Sequence, residues 1–192
     1  MAQRLLVVAH AATPATRALV FGGSGELLPG DVMRLSGRVA SWLRGPEEAC
    51  QATAVRLGAT ADPIPELREC DFGSWTGKAL IDVAGADPSG LDSWLHDPAA
   101  APHGGESLAM LINRVGRVLD DHRWPDGRNV AVVTPLVARA LLVRALGAAP
   151  EVIFHLDIGP LGRASLSHSN SAWRLAKLEP GGTYRQPVYM NV

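Results

Sequence analysis

A chain of 192 residues with 47% apolar and 19% charged residues and a slightly positive mean hydropathy has a globular composition, neither disordered nor membrane-spanning. Basic and acidic residues nearly cancel to a formal charge of -1, and no Lys/Arg cluster of the kind that tracks nucleic-acid phosphates occurs, so a nucleic-acid partner is not expected. The length fits one domain, residues 1–192, able to bury its own core without metal or disulfide.

In chain order, residues 4–9 form a short Leu/Val run that breaks into Ala-Ala-Thr-Pro, which reads as a buried strand ending in a loop with His10 at its carboxyl end. The run is too short for a signal-peptide core or a membrane span, so a cytoplasmic protein is expected. Cys50 and Cys70 lack metal-ligand spacing and read as free thiols in a reducing compartment. Residues 38–43, 49–57 and 76–83 are weaker helical candidates. Residues 87–105 are rich in Pro, Gly and Ala yet carry Trp94, His96 and His103, which suggests a lid or cap loop.

The clearest amphipathic helix covers residues 106–122, where Leu108, Leu111, Ile112, Val115, Val118 and Leu119 recur at helical spacing while Asn113, Arg114, Arg117 and Asp120 face away. Residues 130–133 form a second strand feeding Pro135 and the helical stretch 136–146, closed by Gly147. Residues 163–168 and 173–178 alternate like two late strands around a Ser/Asn turn. The pattern predicts an α/β fold of three αβα layers, with a mostly parallel central sheet flanked by helices. Ligands of such sheets bind outside the carboxyl ends of the strands, so His10, Thr134 and the lid are expected at one cleft.

Four ordered blocks resemble the histidine phosphatase (phosphoglycerate mutase-like) superfamily. The stretch Ala9-His10-Ala11-Ala12-Thr13 is similar to its Arg-His-Gly-x-Thr signature, and Pro46 to Ala54 to its Ser-Pro-x-x-Arg-Ala-x-Gln-Thr-Ala helix start. Leu67-Arg68-Glu69-Cys70-Asp71-Phe72-Gly73-Ser74-Trp75-Thr76-Gly77 is close to Leu-x-Glu-x-Asp-Phe-Gly-x-Trp-Glu-Gly. Gly104-Gly105-Glu106-Ser107, followed by the strand and helix from Val130 to Leu142, resembles the segment that normally reads Val-Ser-His-Gly-Gly-Val-Ile-Arg-Ala-Leu-Leu.

The resemblance implies a phosphoryl-accepting histidine at His10 and a proton donor to the leaving group at Glu69. An attacking imidazole must be neutral at one nitrogen and oriented through the other, while cations neutralise the phosphate. In the family two arginines and a second histidine do so; here those positions hold Ala9, Ala49 and either Thr134 or Pro135. Hydrogen bonds to charged groups contribute roughly 1.5 to 3 kcal/mol each, so two lost arginines remove about 3 to 6 kcal/mol of phosphate binding. Ordinary phosphohistidine chemistry is therefore expected to be crippled or absent.

Competing roles stand beside these. Glu69 is either the acid or a cap on backbone amides, Thr13 faces the cleft or caps a turn, and His103 points into the cleft or is a solvated loop residue. Arg17 is a candidate substitute cation, Trp94 a lid residue over the cleft, and Arg139 reads as structural. No histidine has metal-ligand spacing, so neither metal nor cofactor is expected. The preferred reading is a protein that acts on or binds a small metabolite less charged than a phosphate ester, with His10 and Glu69 as base and acid in a pocket made apolar by Ala9, Ala11, Ala49 and Pro135. The alternatives are a residual phosphomonoesterase or phosphomutase and an inactive scaffold that binds a metabolite or protein; a homodimer is left open.

Overall fold

In the computed structural model, residues 3–30 and 34–182 are described. Six strands are found among them: β1 (Gln3–Ala9), β2 (Ser41–Arg44), β3 (Asp62–Pro63), β4 (Gly127–Val133), β5 (Arg163–Ser169) and β6 (Ala172–Glu179). The helices are α1 (Pro14–Arg17), α2 (Glu48–Leu57), α3 (Leu80–Ala86), α4 (Pro88–His96), α5 (Leu108–Asp121) and α6 (Pro135–Leu146). The sheet runs β3-β2-β4-β1-β5-β6. β3, β2, β4 and β1 are mutually parallel, while β5 and β6 close the other edge antiparallel.

The two central strands explain why residues 4–9 and 130–133 read as continuous apolar runs. β1 and β4 pair in register, with Ala9 opposite Val133, and both of their faces are covered. Leu5, Val7, Ala9, Ala131 and Val133 pack on one face with apolar residues of α5 and α6. Leu6, Val8, Val130 and Val132 pack on the other with Cys50, Ala54 and Leu57 of α2. Each fully buried Leu or Val contributes about 1.5 to 3 kcal/mol, which makes this strand pair the energetic centre of the sheet.

Both carboxyl ends are fixed in the same way. His10 N–H donates to the Val133 carbonyl at 2.8 Å, which carries the ladder one residue past β1. Thr134 caps α6 through its hydroxyl, accepting from Val137 N–H at 3.4 Å, with Pro135 in the first turn and Gly147 left-handed at the end.

Three expectations need correction. Residues 38–43 do not form a helix: residues 41–44 are β2, because the Trp42-Leu43 pair fills a short parallel strand between β3 and β4 and Pro46 ends it. Helix α3 begins at Leu80 rather than Thr76, since Gly73–Trp75 form a 3₁₀ turn before it. Arg114 does not face away from the core. It is 6% exposed, pairing both oxygens of Glu106 at 2.7 and 2.6 Å and donating to the carbonyls of Glu66, Arg68 and Glu69. Helical spacing placed it on the polar face, but the 66–69 turn folds over that face and supplies acceptors.

This network accounts for the Gly-Gly-Glu-Ser block. Ser107 caps α5, accepting from Met110 N–H at 3.2 Å, and Glu106 neutralises Arg114. Gly105 lets two loops touch: a Cβ there would lie 2.1 Å from the Asp71 carbonyl oxygen, and one on Gly73, at φ +46°, would lie 2.2 Å from that of His103. The 69–75 and 103–107 segments are thereby locked against each other, with Glu106 N–H donating to the Asp71 carbonyl and Ser74 N–H to that of His103.

Candidate functional site

At the carboxyl ends of β1 and β4 lies a cavity of about 140 Å³, lined by His10, Glu69, Trp94, Pro135 and Arg139 among apolar neighbours that include Phe21, Phe72 and Phe154. An engineered apolar cavity of about 150 Å³ holds benzene, so the volume suits a ligand core of one small ring or branched chain.

His10 sits at the end of the buried strand and is 3% exposed. Its Nδ1 lies 2.7 Å from the Ala11 carbonyl oxygen. A carbonyl only accepts, so Nδ1 carries the proton and Nε2 presents its lone pair. Burial lowers the imidazole pKa below its ordinary value, opposed by the Ala11 carbonyl and by the charge of Glu47. The ring is therefore neutral at pH 7. The loop beyond it is tied to α2: Ala11 N–H donates to Thr53 Oγ1 at 2.9 Å, and that hydroxyl donates to the Ala49 carbonyl at 2.7 Å.

Glu69 enters the cavity from the turn that Arg114 organises. Burial pushes its carboxyl up to about 7, with Glu47 acting in the same direction. The Cys70 N–H at 2.8 Å, a hydrogen bond from the Thr134 hydroxyl, and Arg114 act against it. Near neutrality a base with a free lone pair and a carboxyl that is about half protonated therefore line one cavity.

Glu47 is a residue that sequence reasoning passed over. It stands two positions before Ala49, and its Oε1 accepts from Glu69 N–H at 2.6 Å, so a carboxylate approaches from the side where the family arginine is missing. Its place in the turn opening α2, next to the expected arginine position, was the available signal.

The other sequence-derived candidates separate. Trp94, on α4 within the 87–105 segment, lines the cavity, as does Pro135. Thr134 is buried beside them and bonds Glu69. Ala9 and Ala49 are buried in the packing of the sheet and of α2 and do not reach the cavity wall. Thr13 faces its own helix: it caps α1 by accepting from Thr16 N–H at 3.1 Å, and Thr16 lines the cavity instead. Arg17 ends α1 on the exposed surface, outside the cavity lining.

His103 corrects the expectation of a solvated loop residue. It is 3% exposed and packs against Trp75 and Phe72, with ring centroids 4.9 and 6.0 Å apart, while its Nδ1 accepts from Gly105 N–H. The paired glycines after it turn the ring inward onto the aromatic cluster. Arg139, taken as structural from sequence, is 8% exposed, donates to the Ile158 carbonyl at 3.5 Å and lines the cavity. Its spacing of three and four residues from Leu136 and Pro135, both on the wall, was the signal for that face.

The sequence matches the histidine phosphatase superfamily (branch 1) over residues 26–180, and the chain belongs to that superfamily. A bifunctional protein of Mycobacterium tuberculosis is 29% identical over 180 residues, covering 84% of this chain and 50% of its own length. The chain thus spans about half the length of the first curated relatives it matches. The glucosyl-3-phosphoglycerate phosphatase of Mycolicibacterium vanbaalenii is 34% identical over 76 residues, 40% of this chain and 34% of that one. Among solved structures, the alpha-ribazole phosphatase of Shigella flexneri shares the fold at TM-score 0.73 and 20% identity, covering 92% of this chain and 96% of that one. Mycobacterial glucosyl-3-phosphoglycerate phosphatase does so at 0.71 and 23%, covering 92% and 98%. Among the described residues no helix is long and apolar enough to cross a membrane.

Proposed function

We propose that this superfamily member acts on a small metabolite less charged than a phosphate ester, with His10 Nε2 as base and Glu69 as acid. The observation that carries the reading is the pairing of a neutral His10 with a Glu69 carboxyl whose pKa is raised to about 7, on one largely apolar cavity. Phosphoryl transfer to His10 needs several donors aimed at the equatorial oxygens, and loss of one such donor typically costs about 10² to 10³ in rate. Ala9, Ala49 and Thr134 supply no cation, and Glu47 adds a carboxylate nearby. The base and acid suit proton transfer, elimination, isomerisation or hydrolysis of a non-phosphate bond.

A second reading, a residual phosphomonoesterase with His10 as nucleophile, is favoured by Arg139, which brings one cation to the cavity. A screen of phosphorylated against unphosphorylated metabolites, with His10→Ala as control, tests the choice. Turnover of unphosphorylated compounds that disappears in His10→Ala, with p-nitrophenyl phosphate near background, is the expected result. Robust phosphatase turnover that depends on His10 favours the second reading, and binding without turnover of any compound favours an inactive scaffold.

A further inference from the structure

The sheet carries a charged row that the chemistry of the cavity leaves unused. On the face that meets α2, Arg128 of β4 stands opposite Arg4 of β1, Arg4 opposite Ser167 of β5, and Ser167 opposite Arg174 of β6. The next row on that face holds Leu6, Ser165 and Lys177. Helix α2 packs on Leu6, Val8, Val130 and Val132, but no residue of β5 or β6 joins that cluster. A groove of about 590 Å³ remains open beside it, and its lining includes Arg4, Leu6, Arg128, Ser165, Ser167 and Ala176.

No acidic or aromatic side chain lines the groove. Arg4 and Arg174 are exposed and make no ion pair among the described residues. Arg128 donates to the Ser36 carbonyl at 2.9 Å, which leaves its charge uncompensated, whereas Lys177 pairs with Glu179 at 2.7 Å. The Ser165 and Ser167 hydroxyls are half-buried and have no protein partner among the described residues. Like charges side by side on neighbouring strands are destabilising, so Arg4 next to Arg128 is a repulsion that a bound anion turns into attraction. Neighbouring strands lie about 4.8 Å apart, which spreads the row from Arg128 to Arg174 over about 14 Å.

We infer that this groove is a second ligand site, which takes a small compound carrying a chain of adjacent phosphates. Arg4 and Arg128 hold it together with the Ser165 and Ser167 hydroxyls, and Arg174 stands at the outer end. Guanidinium forks and hydroxyls are the groups that donate to phosphate oxygens. A chain of phosphates sets several charges along the row, whereas a single carboxylate meets one arginine. A nucleic-acid strand would lack the aromatic platforms on which its bases stack. A second copy of this face would bring arginine against arginine. The row lies about 20 Å along β1 from His10 and is independent of how the cavity is read. Because its donors come from four strands, no run of basic letters marks it in the sequence.

The test is calorimetric titration of the whole chain with tripolyphosphate, ATP, orthophosphate, hexaglutamate and hexauridylate at two salt concentrations. Tripolyphosphate is expected to bind about 10-fold or more tighter than orthophosphate, with affinity falling as salt rises. ATP binding within a few-fold of tripolyphosphate assigns the site to nucleotides as well as to free oligophosphate, and much weaker ATP binding assigns it to the free chain; both agree with the inference. Arg4→Gln should weaken tripolyphosphate binding about 10-fold and Arg174→Gln several-fold. Arg117→Gln, on the exposed side of α5, should change nothing, and His10→Ala should also leave binding intact, which separates the groove from the cavity. Without ligand, Arg4→Gln should melt at or above the wild-type temperature, since it removes a repulsion, and tripolyphosphate should raise the Tm of the wild type more than that of the variant. A tripolyphosphate affinity no better than that of orthophosphate, tighter binding of hexaglutamate or hexauridylate, binding lost in His10→Ala, or binding that survives Arg4→Gln and Arg174→Gln together overturns the inference.

Discussion

The carboxylate of Glu47 accepts a 2.6 Å hydrogen bond from the backbone N–H of Glu69. An acidic residue thus supports the turn carrying the proposed acid, next to the position where the family carries an arginine. The same carboxylate raises the pKa of Glu69 and opposes the fall in that of His10.

The first prediction concerns that exchange of charge. The triple change Ala9→Arg, Ala49→Arg and Thr134→His should restore phosphate or vanadate binding, and adding Glu47→Gln should strengthen it further. Gln keeps an oxygen for the Glu69 N–H while removing the negative charge. Single arginines should do little, since each places an unpaired charge in a buried site, so the gains should be non-additive. Calorimetry at two salt concentrations reads the outcome, with affinity falling as salt rises. A folded quadruple variant that binds no anion would show that the cleft has changed in shape as well as charge.

The second concerns stability against pH. Folding holds a proton on Glu69 that the unfolded chain has released above about 4.3, so its contribution is complete in acid and is lost as pH rises toward and through about 7. The loss is bounded at roughly 3.5 kcal/mol. His10 slopes the other way: its folded pKa is lowered, so its contribution is present above about 6.5 and is lost as pH falls. Because the two oppose each other, the measurement is a difference. Urea denaturation of wild type and Glu69→Gln from pH 5 to 8 should show the wild-type advantage shrinking with rising pH, and a constant difference would contradict the assignment.

Arg114 gives the third. Arg114→Met leaves the Glu106 carboxylate buried without its partner and strips a donor from the carbonyls of Glu66, Arg68 and Glu69. The expected cost is about 3 to 5 kcal/mol, and adding Glu106→Gln should recover part of it. A denaturation midpoint unchanged by Arg114→Met would mean that the pair does not hold the turn.

The fourth is steric. Gly73→Ala should destabilise by about 1 to 3 kcal/mol, because the backbone is left-handed there and the methyl would meet the His103 carbonyl. Gly77, also left-handed but with open space around its Cβ direction, is the control and should cost less, about 1 kcal/mol. Equal costs at the two positions would remove the close approach between loops as the reason for the glycine.

The sequence by itself determined the framework. Continuous apolar runs marked β1 and β4, because strands covered on both faces need no polar alternation. Pro135 and Gly147 bounded α6, and the 3.6-residue period of α5 was visible because its apolar stripe is the face that meets the core. The ordered blocks pointed to the superfamily, since glycines at loop contacts and a buried Glu106 leave fixed letters at fixed separations. Only the tertiary structure decided whether a short mixed segment such as 41–44 became strand, because pairing with β3 and β4 outweighs local preference there. It also decided that Arg114 turns inward, that His103 is buried, and that Arg139 shares a cavity with His10 and Glu69. A polar side chain's direction depends on which distant loop folds over it. A carboxyl's pKa depends on how much water that loop excludes, and neither is encoded in spacing along the chain.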